Sequence, residues 1–476
     1  MQSENRSDQD RTAPAAAASG SAQSWLGHAL ATVVLALPLV GAQLAQVTMN
    51  VTDTVMIGWL GARELAAAVL ATQSFFVCFV FGTGFAQAAL PLAANAEGRG
   101  DERGVRRATR MSLWVLALYA AVMMIPLWQI EAILLAFGQE PDLARLAADY
   151  MHVAQWSMFP GFLIMGLRSY LTVVNRAYWV LAAIIVGAVC NAGLNYVLIF
   201  GHLGAPALGL VGAAIATLVS NLAMAGLLIA YTAGAGSLRR YELYTRFWRP
   251  DWVGFREIVR LGWPIGATII AEVGLFTASS VMMGWLGAVP LAAHGIALQL
   301  ASIAFMIPLG LASAATVRVG VAAGRDDRIG LGRAGAVALL LGGAIALCGA
   351  TLFRLVPDRL IGLYLDPANV NAEAVLAYAV PLLLVAGVFQ IVDSLQAVSS
   401  GVLRGLKDTR IPMIIAVFSY WVIGMPVAYL LAFIADWGGV GIWWGLASGL
   451  ATAAVLLNGR YLRRERNGLV EIGAPT

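Results

Sequence analysis

The chain alternates between long apolar stretches and short polar or basic breaks. An apolar stretch of about 20 residues crosses the ~30 Å hydrocarbon core as a helix, which satisfies its own backbone polar groups. The pattern therefore predicts an all-α integral membrane protein. About twelve spans are predicted, at approximately residues 28–53, 65–94, 109–136, 148–172, 178–203, 208–233, 256–285, 291–322, 331–353, 374–402, 410–434 and 440–461.

Composition supports this interpretation. Hydrophobic residues make up 60% of the 476 residues and charged residues only 12%, whereas an ordinary soluble domain is about 25% charged. The first 23 residues are polar or small and lack the basic region and apolar core of a secretory signal. We expect them to form a disordered cytoplasmic tail.

The basic residues follow the predicted spans in a regular way. Of the 30 Lys and Arg residues, 26 fall in the two tails or at the even-numbered loops. Cytoplasmic loops collect basic residues, so this distribution places both termini in the cytoplasm. Topology alone accounts for the arginines, and we expect the lipid bilayer rather than nucleic acid as the partner.

Two halves of the chain repeat one another. Residues 38–73 and 264–299, at a constant offset of 226, share 15 identities in 36 positions, including "VMIGWLGA" and "VMMGWLGA". Each half holds about six spans, so both halves begin on the same side and form parallel repeats. The predicted domains are a tail at 1–23, an amino lobe at 24–232, a cytoplasmic linker at 233–255, a carboxy lobe at 256–462 and a tail at 463–476.

Of the 26 acidic residues, 23 lie in tails, loops or helix ends, and the other three are Asp53 in span 1, Glu272 in span 7 and Asp393 in span 10. An ionised carboxylate at bilayer depth costs at least ~2.5 kcal/mol unless it faces a cavity, a partner or an ion. No basic residue occurs deep in these spans to pair with them. Each acid is either a protonated structural group or a group that alternates between binding a cation and carrying a proton.

Neutral oxygen ligands accompany the first acid. Asn191 and Asn195 are four residues apart in span 5 and so share a helix face, and Thr217 lies in span 6. Such oxygens suit Na⁺ and also a proton site, although hydrogen bonding between packed helices explains them equally well. The repeat does not copy the site, because Ser279 matches Asp53 and Gln46 matches Glu272.

Several motifs resemble those of the multidrug and toxic compound extrusion (MATE) transporters. They are "TDTVMIGWLGA", "NAGLNYVLIFG", "GLVGAAIAT" and the segment at 393–431 that begins "DSLQAVSSGVLRGLKDTRIPM". The resemblance covers residues 28–462 and is strongest to the NorM-like branch, which has acids in both span 7 and span 10. It implies two six-helix lobes that meet in a V around a central cavity.

The resemblance also implies a function and a set of site residues. Such transporters are cation-coupled antiporters of the cell (inner) membrane that export cationic or amphiphilic drugs in exchange for Na⁺ or H⁺. The implied ion sites are Asp53, Asn191, Asn195 and Thr217 in the amino lobe, and Glu272 and Asp393 in the carboxy lobe, with the three acids as possible Na⁺ ligands. Phe389 departs from relatives that have a tyrosine there, so a hydroxyl is missing.

Other functions remain open at this point. A lipid-linked glycan flippase of related architecture would line its cavity with Arg or Lys, and a passive channel would not need two unequal acid sites. An enzyme is disfavoured because the four histidines are scattered and no nucleophile motif occurs. We expect no cofactor beyond the coupling ion, and a monomer.

Overall fold

A computed structural model describes residues 24–366 and 370–470, so the predicted tail at 1–23 and residues 471–476 lie outside the described residues. The described chain is helical, and eleven helices are long and apolar enough to cross a membrane. These are α1 (Trp25–Gly58), α2 (Ala62–Gly98), α3 (Glu102–Trp128), α5 (Ala177–Phe200), α6 (Gly209–Gly234), α7 (Trp252–Leu286), α8 (Ala288–Gly324), α9 (Arg328–Leu355), α10 (Ala372–Gly405), α11 (Arg410–Ile434) and α12 (Gly438–Leu462).

The remaining predicted span, number 4, is a composite helix. We call it α4: it joins the α-helices Pro141–Ala154 and Met158–Val173 through the 3₁₀ turn Gln155–Ser157. Short helices at Ile130–Ala136 and Pro357–Gly362, and the 3₁₀ helix Gly236–Tyr241, lie between spans. The all-helical membrane fold predicted from the apolar pattern is therefore confirmed.

Several helices extend beyond the predicted spans because their polar first turns are capped. The Asp101 carboxylate accepts a hydrogen bond from the Gly104 N–H at 2.9 Å and so caps the amino end of α3. Asp251 caps α7 through Gly254 at 3.0 Å, so that α7 begins at Trp252, inside the predicted linker. An apolar pattern detects only the lipid-facing part of a helix, whereas an Asp cap supplies the missing backbone partners of its first turn.

Asp251 also forms an ion pair with Arg107 of α3, and the Nη2–Oδ1 distance is 3.0 Å. Burial raises the pKa of Asp251, but the Gly254 N–H and the Arg107 guanidinium lower it more, and the net shift is downward. We expect Asp251→Ala to cost about 1–2 kcal/mol at neutral pH. A carboxylate whose pKa is lowered by folding stabilises the folded protein at pH values above the ordinary carboxylate pKa of about 4. This stabilisation is lost as the pH falls through the lowered pKa.

Thermal unfolding of the purified protein at neutral and strongly acidic pH checks this prediction. The difference in unfolding temperature between wild type and Asp251→Ala should be present at neutral pH and should shrink at acidic pH. The exposed Glu465, changed to Ala, is the control. A gap of equal size at both pH values would show that the charge of Asp251 contributes nothing.

The two lobes, α1–α6 and α7–α12, pack against each other through glycines at repeat-related positions. A Cβ atom on Gly98 of α2 would lie 3.0 Å from the Cα of Gly324, and one on Gly324 would lie 3.1 Å from the Cα of Gly98. Gly84 of α2 likewise abuts the backbone of Gly262 on α7, and its counterpart Gly310 abuts the backbone of Val40. The repeat seen in the sequence is thus a structural two-fold, with Gly98 and Gly324 meeting near its axis.

These contacts lie toward one end of the molecule, which we call the basic end. It carries the α2–α3, α8–α9 and α10–α11 turns and the segment between α6 and α7. Nearly every residue of α2 from 82 to 96 is buried there, whereas the first half of α2 exposes Val69, Phe76 and Val77. The lobes are therefore closed against each other at the basic end.

The segment between the lobes is fastened to the amino lobe at this end. The Tyr241 hydroxyl donates to both Glu97 carboxylate oxygens at 3.0 and 2.9 Å. Arg106 of α3 pairs with Glu242 at 2.7 Å. The connection between the lobes follows the amino-lobe surface through these polar contacts.

Candidate functional site

Asp53 lies five residues before the end of α1, in the half of the amino lobe opposite the basic end. Its Oδ1 accepts a hydrogen bond from Asn195 Nδ2 of α5 at 2.5 Å. The same Nδ2 donates to Asn191 Oδ1 at 3.2 Å, and both asparagines are fully buried. The four-residue spacing in α5 therefore places the two amides on one face, toward the acid.

Two further residues surround the Asp53 carboxylate. Thr217 of α6 donates its hydroxyl proton to the Ala213 carbonyl at 3.0 Å, which leaves its oxygen lone pairs available beside Asp53. Tyr150 of α4 is buried within electrostatic range of Asp53, and no pattern in the sequence indicates it. Three helices, α1, α5 and α6, thus contribute oxygens or amides to this amino-lobe site.

In the carboxy lobe, Glu272 of α7 and Asp393 of α10 lie within electrostatic range of each other. Asp393 is only 4% exposed, and its Oδ1 has no hydrogen-bond partner. Two acids that share a buried volume repel each other when both are ionised. The pair can therefore bind one positive charge, as a proton or a cation, at low electrostatic cost.

Two further residues lie near this acid pair, and the sequence pattern does not indicate either of them. Tyr420 of α11 is fully buried and lies within electrostatic range of both Glu272 and Asp393. Arg404, in the last turn of α10, reaches within electrostatic range of Glu272. Arg404 forms no ion pair with Glu272, because its Nη1 donates to Gln87 Oε1 of α2, in the amino lobe, at 2.6 Å. The expectation that no basic residue pairs with these acids stays a prediction.

The repeat counterpart of Asp53 occupies a different environment. Ser279 of α7 is fully buried, and His294 Nε2 of α8 lies 3.5 Å from its hydroxyl and 3.2 Å from that of Ser280. The His294 ring packs edge-on against Trp443, with the centroids 5.7 Å apart. Ser279 therefore belongs to a neutral hydrogen-bonded cluster. The two lobes have the same helix arrangement, but their acids lie at different positions in it.

The structure groups the six predicted site residues by lobe. Asp53, Asn191, Asn195 and Thr217 come together, as do Glu272 and Asp393. Within residues 24–366 and 370–470, none of the three acids forms a direct ion pair with a basic residue. Asp53 is thus held by a neutral amide, and neither Glu272 nor Asp393 has a basic side chain in direct contact within the described ranges.

Comparison with known proteins identifies the family. Residues 38–197 and 264–430 each match the MatE family, and the two matches begin 226 residues apart, at the repeat offset. The chain belongs to the MatE family. A "Probable multidrug resistance protein NorM" of Rhizobium meliloti (strain 1021) is 53% identical over 92% of this MatE chain and 94% of its own length. A protein of the same name from Agrobacterium fabrum is 49% identical over the same shares of the two chains.

Solved structures show the same fold. The eukaryotic MATE transporter AtDTX14 superposes with a TM-score of 0.82 and 22% identity, over 94% of this chain and 98% of that one. The predicted two-lobe MatE architecture is therefore confirmed. This MatE protein is a multi-pass membrane transporter, and the family's members are described as transporters rather than enzymes.

Proposed function

We propose that this protein is a secondary multidrug antiporter, which exports cationic or amphiphilic compounds in exchange for Na⁺ or H⁺. The observation that carries the proposal is Asp53, an acid within a membrane span whose partner is the amide of Asn195 at 2.5 Å rather than a base. The relatives named as multidrug resistance proteins support the same function.

The chemistry follows from the cost of an uncompensated carboxylate in a membrane. An ionised Asp53 attracts a cation, and protonation removes that attraction. A coupling ion and a cationic drug therefore compete for the same negative charge. Entry of the ion releases the drug, and binding of the drug displaces the ion, which is the exchange that antiport requires.

The direction of transport follows from the membrane orientation. Basic residues collect in cytoplasmic loops, so we assign the basic end to the cytoplasm and both termini to the same side of the inner membrane. The state described here, closed at the basic end, is then outward-facing. Drug export needs a second state that is open at the basic end, and the lobes alternate between the two.

The available driving force is adequate. One positive charge that moves through 100 mV contributes ~2.3 kcal/mol, before any concentration gradient is added. This corresponds to a roughly fiftyfold accumulation ratio, since 1.4 kcal/mol is tenfold. This potential drives export of a neutral amphiphile, or of a cationic drug that exchanges for more than one ion. A one-for-one exchange of Na⁺ or H⁺ for a monovalent cationic drug moves no net charge and is driven by the concentration gradient of the ion. We propose a monomer as the working unit.

A flippase for an anionic glycolipid is the rival function. It would need basic side chains free to bind pyrophosphate. Three inward-reaching arginines are engaged by neutral side chains: Arg168 donates to Gln43 at 2.8 Å, Arg318 to His28 Nδ1 at 2.8 Å, and Arg404 to Gln87 at 2.6 Å. The acids, by contrast, have no basic partner in direct contact within the described ranges. The balance of available charge favours a cationic substrate.

Transport by the full-length protein in proteoliposomes tests the proposal. We expect export of a fluorescent organic cation when an inward Na⁺ or H⁺ gradient is imposed, and little export without a gradient. A labelled anionic glycolipid in the same vesicles should not move faster than in protein-free vesicles. Movement of the glycolipid without gradient-driven export of the cation would contradict antiport and support the flippase.

A further inference from the structure

Exposed aromatic residues cluster where the segment between the lobes meets α3 and α7. Trp248 of that segment is 80% exposed, and Trp252, the first residue of α7, is 65% exposed. An indole at the surface of a membrane protein favours the level of the lipid headgroups, where its ring meets apolar chains and its N–H meets water. The two tryptophans therefore indicate that this segment contacts the membrane surface.

Contacts with α3 place the cluster at the edge of the lipid-facing surface. Trp114 of α3 begins a stripe of exposed apolar residues that continues through Leu118, Val122 and Ile125. Their spacing puts them on one outer face of a membrane-spanning helix, and such a face contacts lipid chains. The Trp114 indole Nε1 donates to the carbonyl oxygen of Phe247 at 3.1 Å. The segment thus lies where the hydrocarbon core ends and the headgroups begin.

Hydrogen bonds and ring contacts hold this part of the segment in place. The Arg110 guanidinium of α3 donates to the carbonyl oxygen of Arg246 at 2.9 Å. Arg246 has a φ of 54°, a left-handed conformation that is uncommon for a residue other than glycine. The Trp114 ring packs against the rings of Phe247 and Trp248, with the centroids 6.2 Å apart in both cases. The segment is therefore a fixed surface on the amino lobe.

Basic side chains surround the two exposed tryptophans. Four of them are exposed arginines, namely Arg246, Arg249, Arg256 and Arg260. Trp252, Arg256 and Arg260 follow one another at intervals of four residues in α7, so they share one face of the helix. We call the four arginines together with Trp248 and Trp252 the linker patch. It continues from the segment fixed to the amino lobe onto the first helix of the carboxy lobe.

The positive charge of the linker patch is not neutralised by the protein. In the part of the chain that the structure describes, none of its four arginines forms an ion pair. The acids nearest in sequence act elsewhere. Glu242 and Asp251 pair with arginines of α3, and Glu257 lies within electrostatic range of Lys407. The four charges are therefore available to an anion from outside the protein.

A phospholipid with a net negative charge complements this surface. A guanidinium forms two parallel hydrogen bonds to a phosphate, and all four basic residues of the patch are arginines. Each basic residue near an anionic membrane surface contributes roughly a fivefold gain in affinity. A zwitterionic phospholipid gains less, because its own cation repels the arginines. The exposed stripe of α3 that begins at Trp114 offers the acyl chains an apolar surface directly beside the phosphate.

We propose that the linker patch binds an anionic phospholipid of the inner leaflet. The arginines hold the phosphate, Trp248 and Trp252 lie at the level of the glycerol, and the acyl chains follow the apolar stripe of α3. The lipid thereby contacts both lobes beside the segment that connects them. The proposal uses the orientation of the basic end toward the cytoplasm, and it does not depend on the antiport.

Native mass spectrometry of the full-length protein, titrated in detergent with phosphatidylglycerol or phosphatidylcholine of the same chains, tests the proposal. The first phosphatidylglycerol should bind about tenfold more tightly than the first phosphatidylcholine. Arg256→Gln combined with Arg260→Gln should raise the Kd for phosphatidylglycerol about 25-fold, because two charges are lost. Arg463→Gln combined with Arg466→Gln is the matched control, since these exposed arginines lie at the basic end outside the patch.

Two further measurements make the result specific to a lipid at this place. Glycerol 3-phosphate, which has no acyl chains, should not displace phosphatidylglycerol at equal concentration. Hydrogen exchange of residues 244–256 should be slower in nanodiscs of phosphatidylglycerol than of phosphatidylcholine, and Arg256→Gln with Arg260→Gln should remove this difference. Equal affinity for the two lipids, an equal loss in the control variant, or displacement by glycerol 3-phosphate would each overturn the proposal.

Discussion

Asp53→Asn is expected to reduce gradient-driven drug export about 100-fold. The substitution keeps the size of the side chain and its contact with Asn195 but removes the charge that binds the coupling ion. A hydrogen bond or contact to a charged group contributes about 1.5–3 kcal/mol, and 2.7 kcal/mol corresponds to a factor of about 100. Initial rates of export from proteoliposomes, at equal protein density, measure the effect.

Two comparisons make this result specific. Asp358→Asn, at an exposed position outside the membrane spans, should export at the wild-type rate. Asp53→Asn in detergent should unfold at the wild-type temperature, which would show that the protein is folded. Wild-type export by Asp53→Asn would show that the amino-lobe acid plays no part in coupling.

The second large effect is expected at the glycine contact near the repeat axis. A Cβ atom at Gly324 would overlap the carbonyl oxygen of Asn95, and one at Gly98 would overlap that of Val321. A helix backbone gives way poorly, so Gly324→Ala should destabilise the state closed at the basic end by about 1–3 kcal/mol. The population should shift about tenfold or more toward the state that is open there.

Labelling with a membrane-impermeant maleimide measures this shift. Ala94 of α2 is fully buried and faces Gly320 of α8, so Ala94→Cys reports opening at the basic end once the three native cysteines are replaced. Labelling should be faster in Gly324→Ala than in the parent. Gly226→Ala is the control, because nothing lies within 4 Å of a Cβ atom there. Equal labelling in all three would mean that this contact does not set the equilibrium.

The membrane fold and part of the site follow from local sequence rules. Apolar length predicts the spans, and the spacing of Asn191 and Asn195 places both amides on one helix face. The acids are recognisable because a charge inside a span needs a reason. The contact of Asn195 with Asp53 is consistent with the interpretation of that face, although the coupling role of these residues stays a prediction.

The rest of the site depends on contacts that the linear pattern does not encode. Tyr420 lies in a π-helix, Phe418–Gly424 of α11, and nothing in the sequence of α11 distinguishes that conformation from an ordinary helix. Tyr150 approaches Asp53 from α4, across a large sequence separation. Arg404 lies just beyond the predicted span 374–402, and its guanidinium donates to Gln87 of α2 in the other lobe. Packing between distant helices decided all three.

The central claim is obligatory exchange of a cation for the drug, and reversed transport tests it most directly. A drug gradient imposed across proteoliposomes should drive ²²Na⁺ or H⁺ uphill in the opposite direction. The account predicts this uphill flux in wild type and its loss in Asp53→Asn. Movement of the drug down its gradient in wild type, with neither ion moving against its own gradient, would contradict the account.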